Sequence, residues 1–112
     1  MDTGMITPFF MLDPAMFGYP KDTDKELFIM TAVGSGMCKA GIQDQDILIC
    51  ESTPSVADGD LAVVKLNGDV SLKRVFHNGD QFLLRRESEI PEVQLVEDCT
   101  IIGKLVAIQR KV

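Results

Sequence analysis

Frequent turn signals divide this sequence into apolar segments that are each about the length of one β-strand. Asn67-Gly68 separates two such segments, and the stretch 77–80 separates the next two. Asn-Gly between apolar segments is typical of a tight hairpin, because these residues adopt positive φ at low cost. The pattern predicts an irregular acidic connection at 87–98 around Pro91, a bulge at Gly103, and strands at 27–33, 46–51, 61–66, 70–76, 81–85 and 99–109. We therefore expect a mostly β domain with almost no helix.

A glycine-rich segment, residues 34–41, lies between the first two predicted strands, and within it Met37 to Ala40 favour one helical turn. The motif Asp44-Gln45-Asp46 follows, and Asp58-Gly59-Asp60 repeats it before the third strand. Paired carboxylates suit a divalent cation, but they also bond to the backbone amides of their own turn. Because no further acidic residues stand at ligand spacing, we expect the turn-forming role and no metal site.

Composition narrows the class of protein. A chain of 112 residues, 46% hydrophobic, is long enough for one compact domain. Its net charge of −6 argues against direct nucleic-acid binding, and Arg85-Arg86 and Arg110-Lys111 are expected to be solvated strand ends. There is no apolar run of the roughly 20 residues that cross a membrane, and no secretory signal, so we expect a soluble cytoplasmic protein.

Cysteine and histidine give no sign of a metal or cofactor. The three cysteines, Cys38, Cys50 and Cys99, are an odd number without Cys-x-x-Cys spacing, which disfavours a disulfide framework or a zinc site. The single histidine, His77, lies in a predicted turn, where we expect it to be solvated. We expect no cofactor.

Four segments, in this order, resemble the LexA/UmuD family of serine-lysine self-cleaving peptidases. They are the glycine turn with Met37, Gly41, Ile42, Asp44 and Asp46; Ala57-Asp58-Gly59-Asp60-Leu61-Ala62-Val63-Val64; Val70-Ser71-Leu72-Lys73-Arg74; and Ile102-Gly103-Lys104-Leu105-Val106. The resemblance implies a small, twisted, antiparallel β domain of the LexA C-terminal type, which is signal-peptidase-like with a β-clip fold and usually dimeric. It also divides the chain into an apolar, cleavage-region-like arm with its connector at 1–26 and a peptidase-type β domain at 27–112.

The same resemblance assigns candidate site residues. Lys73 takes the position of the general base, which must be neutral to accept a proton and is made so by burial. Gly36, which has no side chain, takes the position of the nucleophilic serine. Ser35 is a possible displaced nucleophile. Phe17-Gly18 is similar to the self-cleavage bond, although Phe17 is bulkier than the family's usual Ala or Cys.

These assignments lead to three functional hypotheses. The first is a catalytically silent regulatory and dimerisation domain of an SOS-response or phage-type transcriptional repressor, with Gly36 either natural or a substitution that traps the uncleaved form. The second is an active peptidase that uses Ser35 with Lys73. The third is a UmuD-like accessory protein of a translesion polymerase. The implied partners are a second copy and a repressor DNA-binding domain, a RecA-type activator or a polymerase.

Overall fold

The computed structural model describes residues 26–110, which form one seven-stranded antiparallel sheet and a single short 3-10 helix, Cys38–Ala40. The strands are β1 (Leu27–Thr31), β2 (Ile47–Ser52), β3 (Asp60–Leu66), β4 (Asp69–Asn78), β5 (Gln81–Arg86), β6 (Glu92–Val96) and β7 (Thr100–Gln109). Their order across the sheet is β1-β2-β7-β3-β4-β5-β6. The last strand, β7, therefore lies in the middle of the sheet, between β2 and β3.

Alternation along the central strands gives the sheet two buried faces. In β3, Val63 faces one hydrophobic cluster, and Ala62 and Val64 face the other, because successive side chains of a strand point in opposite directions. The first cluster contains Phe28, Met30, Ala32, Met37, Ile42, Leu48, Cys50, Val63 and Leu72. The second contains Ala62, Val64, Val75, Leu84 and Ile101. The first cluster includes residues from the glycine turn, so packing of the core also fixes that turn.

Gly103 allows β7 to pack closely against β1 and β2. A Cβ atom at this position would lie 2.7 Å from the ring of Phe28 and 2.7 Å from the backbone oxygen of Glu51. Val63 of β3 pairs with Gly103, whereas the next residue of β3 pairs with Ile101, so the register shifts at this point. The bulge predicted at Gly103 is confirmed.

The expected mostly β fold is confirmed, and so is the helical turn, which appears as the 3-10 helix at Cys38–Ala40. The irregular connection predicted at 87–98 is wrong in part, because Glu92–Val96 forms β6 and pairs with β5. Pro91 does not prevent this pairing, since it stands just before the first residue of the strand and costs no ladder hydrogen bond.

Candidate functional site

The glycine turn (residues 34–41) is held by local backbone hydrogen bonds around the 3-10 helix. The amide of Cys38 donates to the carbonyl of Ser35 over 3.1 Å, and Gly41, with φ of 90°, closes the helix by donating to Cys38 over 3.1 Å. Gly36, the position that the resemblance assigns to the nucleophile, is buried, whereas Ser35 beside it is exposed. Adjacent residues of the turn thus differ in their access to solvent.

The first Asp turn (residues 43–46) docks against the end of β1 and the start of the glycine turn. The carboxylate of Asp44 accepts a hydrogen bond from the amide of Gly34 over 2.6 Å, and the amide of Gln45 donates to the carbonyl of Ala32 over 2.8 Å. Gln45 has a φ of 72°, the left-handed conformation that glycine adopts most easily. The turn therefore keeps a glycine-like backbone without a glycine.

Asp46 anchors the same turn from inside the protein. Its side chain is buried, and its carboxylate accepts a hydrogen bond from the amide of Gln43 over 2.8 Å. Arg110 approaches the two carboxylate oxygens with Nε and Nη2, each at 2.8 Å, and also donates to the carbonyl of Gly41 over 2.9 Å. The hydrogen bonds from Arg110 are the main cause that lowers the pKa of Asp46. As expected, Arg110 lies exposed at the end of β7, and it also ties that end to this turn.

Lys73 lies in the middle of β4, opposite Ala62 of β3, and its side chain is half-buried. Burial is the main cause that lowers its pKa, and the positive charge of Arg86 lowers it further, against a smaller opposing effect of Glu92. A lysine with a lowered pKa carries a larger neutral fraction near pH 7, and the neutral amine is the form that accepts a proton. The electrostatic environment of Lys73 is therefore that of a potential base.

Glu87, the residue after β5, binds the strand that carries Lys73. Its carboxylate accepts two hydrogen bonds from Arg74, at 2.9 and 3.0 Å, and one from Arg85 at 2.6 Å. The hydrogen bond from Arg74 is the largest of the causes that lower the pKa of Glu87. Since Arg74 directly follows Lys73 in β4, this ion pair fixes the backbone beside the lysine.

The backbone of Glu87 binds the glycine turn. Its carbonyl accepts a hydrogen bond from the amide of Lys39 over 2.8 Å, and its amide lies 3.3 Å from the sulfur of Met37, which is itself buried. A further ion pair joins Lys39 to Glu89 over 3.2 Å. The turn that carries Gly36 and the strand that carries Lys73 are thus both held by Glu87, a residue to which the sequence assigned no role.

Two predictions from the sequence remain, the cleavage-like bond and the solvated histidine. Phe17 and Gly18, together with the rest of the arm as far as residue 25, lie outside the described residues. His77 belongs to β4 rather than to a turn, and its Nδ1 lies 2.7 Å from the carboxylate of Asp58. Between residues 26 and 110 no three His, Cys, Asp or Glu side chains are placed to hold a metal ion.

Cys50 has a structural role. Cys38, Cys50 and Cys99 are free thiols, and Cys50 is buried in β2, where burial raises its pKa to about 12. A buried thiol with a high pKa is a poor nucleophile. Cys50 acts as a small apolar residue of the first hydrophobic cluster.

Among the described residues, no helix is long and apolar enough to span a membrane.

An antiparallel sheet thus presents a half-buried lysine, and a docked glycine turn carries Gly36, the position that the resemblance assigns to the nucleophile. The family model described as Peptidase S24-like matches residues 4–106. The chain belongs to this family, and it is LexA-like within it.

Relatives of this chain include several LexA repressors. The chain is 36% identical over 98 residues to the LexA repressor of Clostridium botulinum, which covers 88% of this chain and 48% of that protein. It is 36% identical over 86 residues to the LexA repressor of Clostridium acetobutylicum, covering 77% of this chain and 42% of that protein. For Clostridium perfringens the identity is 37% over 87 residues, covering 78% and 43%. The chain spans about half the length of these relatives.

Proposed function

We propose that this chain is a catalytically silent, LexA-like regulatory domain of a transcriptional repressor that acts in the cytoplasm as part of an SOS-type response. The relatives that support this proposal are repressors, and the chain matches about half the length of each. The observation that carries the catalytic part is Gly36. The resemblance assigns it to the nucleophile position, and the turn that carries it is held by backbone hydrogen bonds and docked by Asp44.

The chemistry of peptide cleavage explains why the residue at position 36 determines whether the domain can be active. In a serine-lysine peptidase the hydroxyl oxygen attacks the scissile carbonyl while the lysine amine takes the hydroxyl proton. The lysine passes this proton to the leaving amine as the C–N bond breaks, and water then hydrolyses the acyl-serine ester. Lys73 supplies an amine with a lowered pKa. At position 36 no oxygen exists to form the bond to the carbonyl. The base is therefore present without a group to deprotonate.

Ser35 lies next to the position of the missing nucleophile, but its surroundings suit it less well to that role. Ser35 is exposed, whereas Gly36 is buried, so the two residues of the glycine turn do not share one environment. A nucleophile that is paired with a lysine base works best where water is excluded and the amine stays neutral. This difference favours a silent domain over an active peptidase that uses Ser35.

The test is incubation of the pure protein at increasing pH, with mass spectrometry to detect fragments. Alkaline pH deprotonates Lys73, and we expect the chain to stay intact at every pH. The matched variant Gly36→Ser restores the hydroxyl and should cleave between Phe17 and Gly18, faster as pH rises through the lowered pKa of Lys73.

Ser35→Ala serves as the control variant. Fragments of the unmodified chain that end at Phe17 would reject catalytic silence. If Ser35→Ala removed those fragments, the active-peptidase hypothesis would replace ours. Failure of Gly36→Ser to cleave would leave the silence of the unmodified chain standing and would identify Phe17 as a second obstacle, which Phe17→Ala in the same chain would relieve.

A regulatory domain without chemistry works through contacts, so we also propose that it forms a homodimer that joins two repressor chains. Sedimentation of the isolated domain at micromolar concentration should show twice the monomer mass. A monomer at all concentrations would remove the dimerisation part of this proposal.

A further inference from the structure

Strand β6 is an open edge of the sheet with an apolar surface. Within residues 26–110 it pairs only with β5, so its outer side offers unpaired backbone groups. Val93 and Leu95 lie on one face, two residues apart, and are 58% and 52% exposed; Ile90, just before the strand, is 75% exposed. Natural edge strands are usually protected by lysine, proline or a bulge, because an open edge recruits other strands. β6 contains neither lysine nor proline.

Negative charge stands at both ends of this edge. Glu92 begins the strand, and Glu97 and Asp98 follow it; all three are exposed. Glu87 and Glu89 nearby each form an ion pair, but none of the ion pairs that the described residues form involves Glu97 or Asp98. The edge therefore presents apolar side chains between two acidic ends.

The charge pattern disfavours a second copy as the strand that fills this edge. Antiparallel self-pairing about Gln94 would set Glu92 opposite Val96 of the other copy and give it no cation, and parallel self-pairing would set each acidic residue against itself. Like charges opposite one another in a ladder are destabilising. The chemistry that fits is a strand with apolar residues in the middle and cations at its ends.

We propose that β6 is a strand-addition site for an extended segment of a partner protein that has apolar residues at alternating positions and Lys or Arg at both ends. Backbone hydrogen bonds to the outer side of β6 supply affinity, and the apolar alternation and flanking cations supply selectivity. This surface begins close to the candidate site, because Glu92 acts on the charge of Lys73 and Glu89 forms an ion pair with Lys39 of the glycine turn, but binding there does not require that the domain cleave itself.

A synthetic peptide tests the proposal directly. The probe is a fluorescein-labelled nonapeptide, Lys-Arg-Val-Thr-Val-Thr-Ile-Arg-Lys with blocked ends, and its binding to the full chain is followed by fluorescence anisotropy at low salt. Two comparison peptides carry either Glu at the four basic positions or Pro at the two Thr positions, which prevents sheet pairing. We expect the basic peptide to bind about tenfold more tightly than the acidic one and the Pro peptide not to bind.

Variants of the edge locate the site on the protein. Leu95→Lys and Glu97→Lys should each weaken binding of the basic peptide by about fivefold, the range of an exposed charge effect. The matched control is Ile108→Lys, another exposed apolar residue, which lies near the end of β7 and should leave binding unchanged. Circular dichroism of each variant confirms that the sheet is retained.

Three outcomes would overturn the proposal. The first is equal binding of the acidic and basic peptides. The second is no binding of the basic peptide at about 1 mM, the weak limit of specific recognition. The third is conversion of a dimer to a monomer by Leu95→Lys. The last result would assign the edge to a second copy of this chain instead. None of these outcomes bears on the catalytic silence of Gly36, so the two proposals fail separately.

Discussion

Two turns of this molecule, the first Asp turn (residues 43–46) and the second Asp turn (residues 57–60), are built in the same way. In each, the final aspartate accepts a hydrogen bond from the amide three residues earlier: Gln43 to Asp46 over 2.8 Å and Ala57 to Asp60 over 2.9 Å. The backbone amide of that aspartate donates in return to the same residue's carbonyl, over 3.1 Å in both turns. Aspartate side chains that bond their own turn are a common device, and here the device occurs twice.

The two turns also dock onto a neighbouring strand in the same way. In the second, the amide of Gly59 donates to the carbonyl of Val75 over 2.8 Å, and the carboxylate of Asp58 accepts from the amide of His77 over 2.7 Å. The first Asp turn makes the same pair of bonds to the end of β1 and the glycine turn, again with one residue between the acceptor and the donor. Each turn then leads into a strand that pairs with β7.

The turns differ in their anchors and in their middle residue. Asp46 is buried and bonded by Arg110, whereas Asp60 is partly exposed and lies 3.8 Å from Lys104. The middle residue is Gln45 in one and Gly59 in the other, with φ values of 72° and 89°. The turn beside the candidate site thus has the firmer anchor and the more strained backbone, so a strong carboxylate contact supports a conformation that its own sequence disfavours.

The largest expected effect is a difference between Asp46 and Asp60 in their contributions to the free energy of unfolding. Asp46→Ala should lower the free energy of unfolding by about 3 kcal/mol, because it removes a buried carboxylate and leaves its arginine and amide donors unpaired. Asp60→Ala should cost about 1 kcal/mol, since its contacts are partly solvated. Urea unfolding followed by circular dichroism measures both, and equal losses in the two variants would show that burial does not distinguish the turns.

The contribution of the Asp46 carboxylate to stability should also appear as a smaller effect, in the loss of stability at acid pH. The pKa of Asp46 is lowered by folding, so its stabilising contribution is complete above the ordinary Asp value of 3.8 and is lost as pH falls through the lowered value. Asp46→Asn has no such carboxylate and should lose less stability than the unmodified chain between about pH 4 and pH 2. Glu87, whose pKa is also lowered, is present in both chains and cancels in the comparison. Parallel stability curves for the two proteins across this range would contradict the prediction.

Gly59→Gln creates in the second turn the residue that the first turn already has. We expect a loss of about 1 kcal/mol, since a non-glycine residue in the left-handed region costs roughly 1–2 kcal/mol and glycine's greater chain entropy offsets part of this. Space is available, because a Cβ there meets its nearest atom, in the ring of Phe76, at 4.0 Å. The change in the urea midpoint measures the effect; a loss of several kcal/mol would mean that steric clash, not backbone conformation, decides the position.

The strands were predictable from sequence where the pattern is local, and the exceptions have physical reasons. Alternating apolar residues bounded by Asn67-Gly68 located β3 and β4. β6 was missed because its apolar residues, Val93 and Leu95, lie among acidic residues and after Pro91, a composition typical of a connection. Its pairing with β5 decides its conformation, and short segments carry little information about such partners.

The candidate site shows the same division. The glycine turn and Lys73 could be found in the sequence because each belongs to a short motif. Glu87 and Arg110 could not, since Glu87 contacts Met37, 50 residues away, and Arg110 contacts Asp46, 64 residues away. Neither residue stands in a motif, and only the folded sheet brings their partners close. Contacts at such separations leave no periodicity in the chain.

Gln45→Gly should produce the smallest effect and the most direct test of the comparison. Glycine relieves the left-handed strain of roughly 1–2 kcal/mol but loses more chain entropy on folding, by about 0.5–1 kcal/mol, so we expect a net gain of about 0.5 kcal/mol. The side-chain contact that is lost, from Gln45 to Asp44 over 3.4 Å, is long and exposed and contributes little. A thermal melt should show a rise of about 2–3 °C.

The matched control is Gln43→Gly, in the same turn but without positive φ, which should lower the melting temperature because glycine there adds entropy cost without relieving strain. If both substitutions destabilised the protein equally, the side chain of Gln45 would stabilise the first Asp turn. The left-handed backbone conformation that this turn shares with the second Asp turn would then not be what decides its stability.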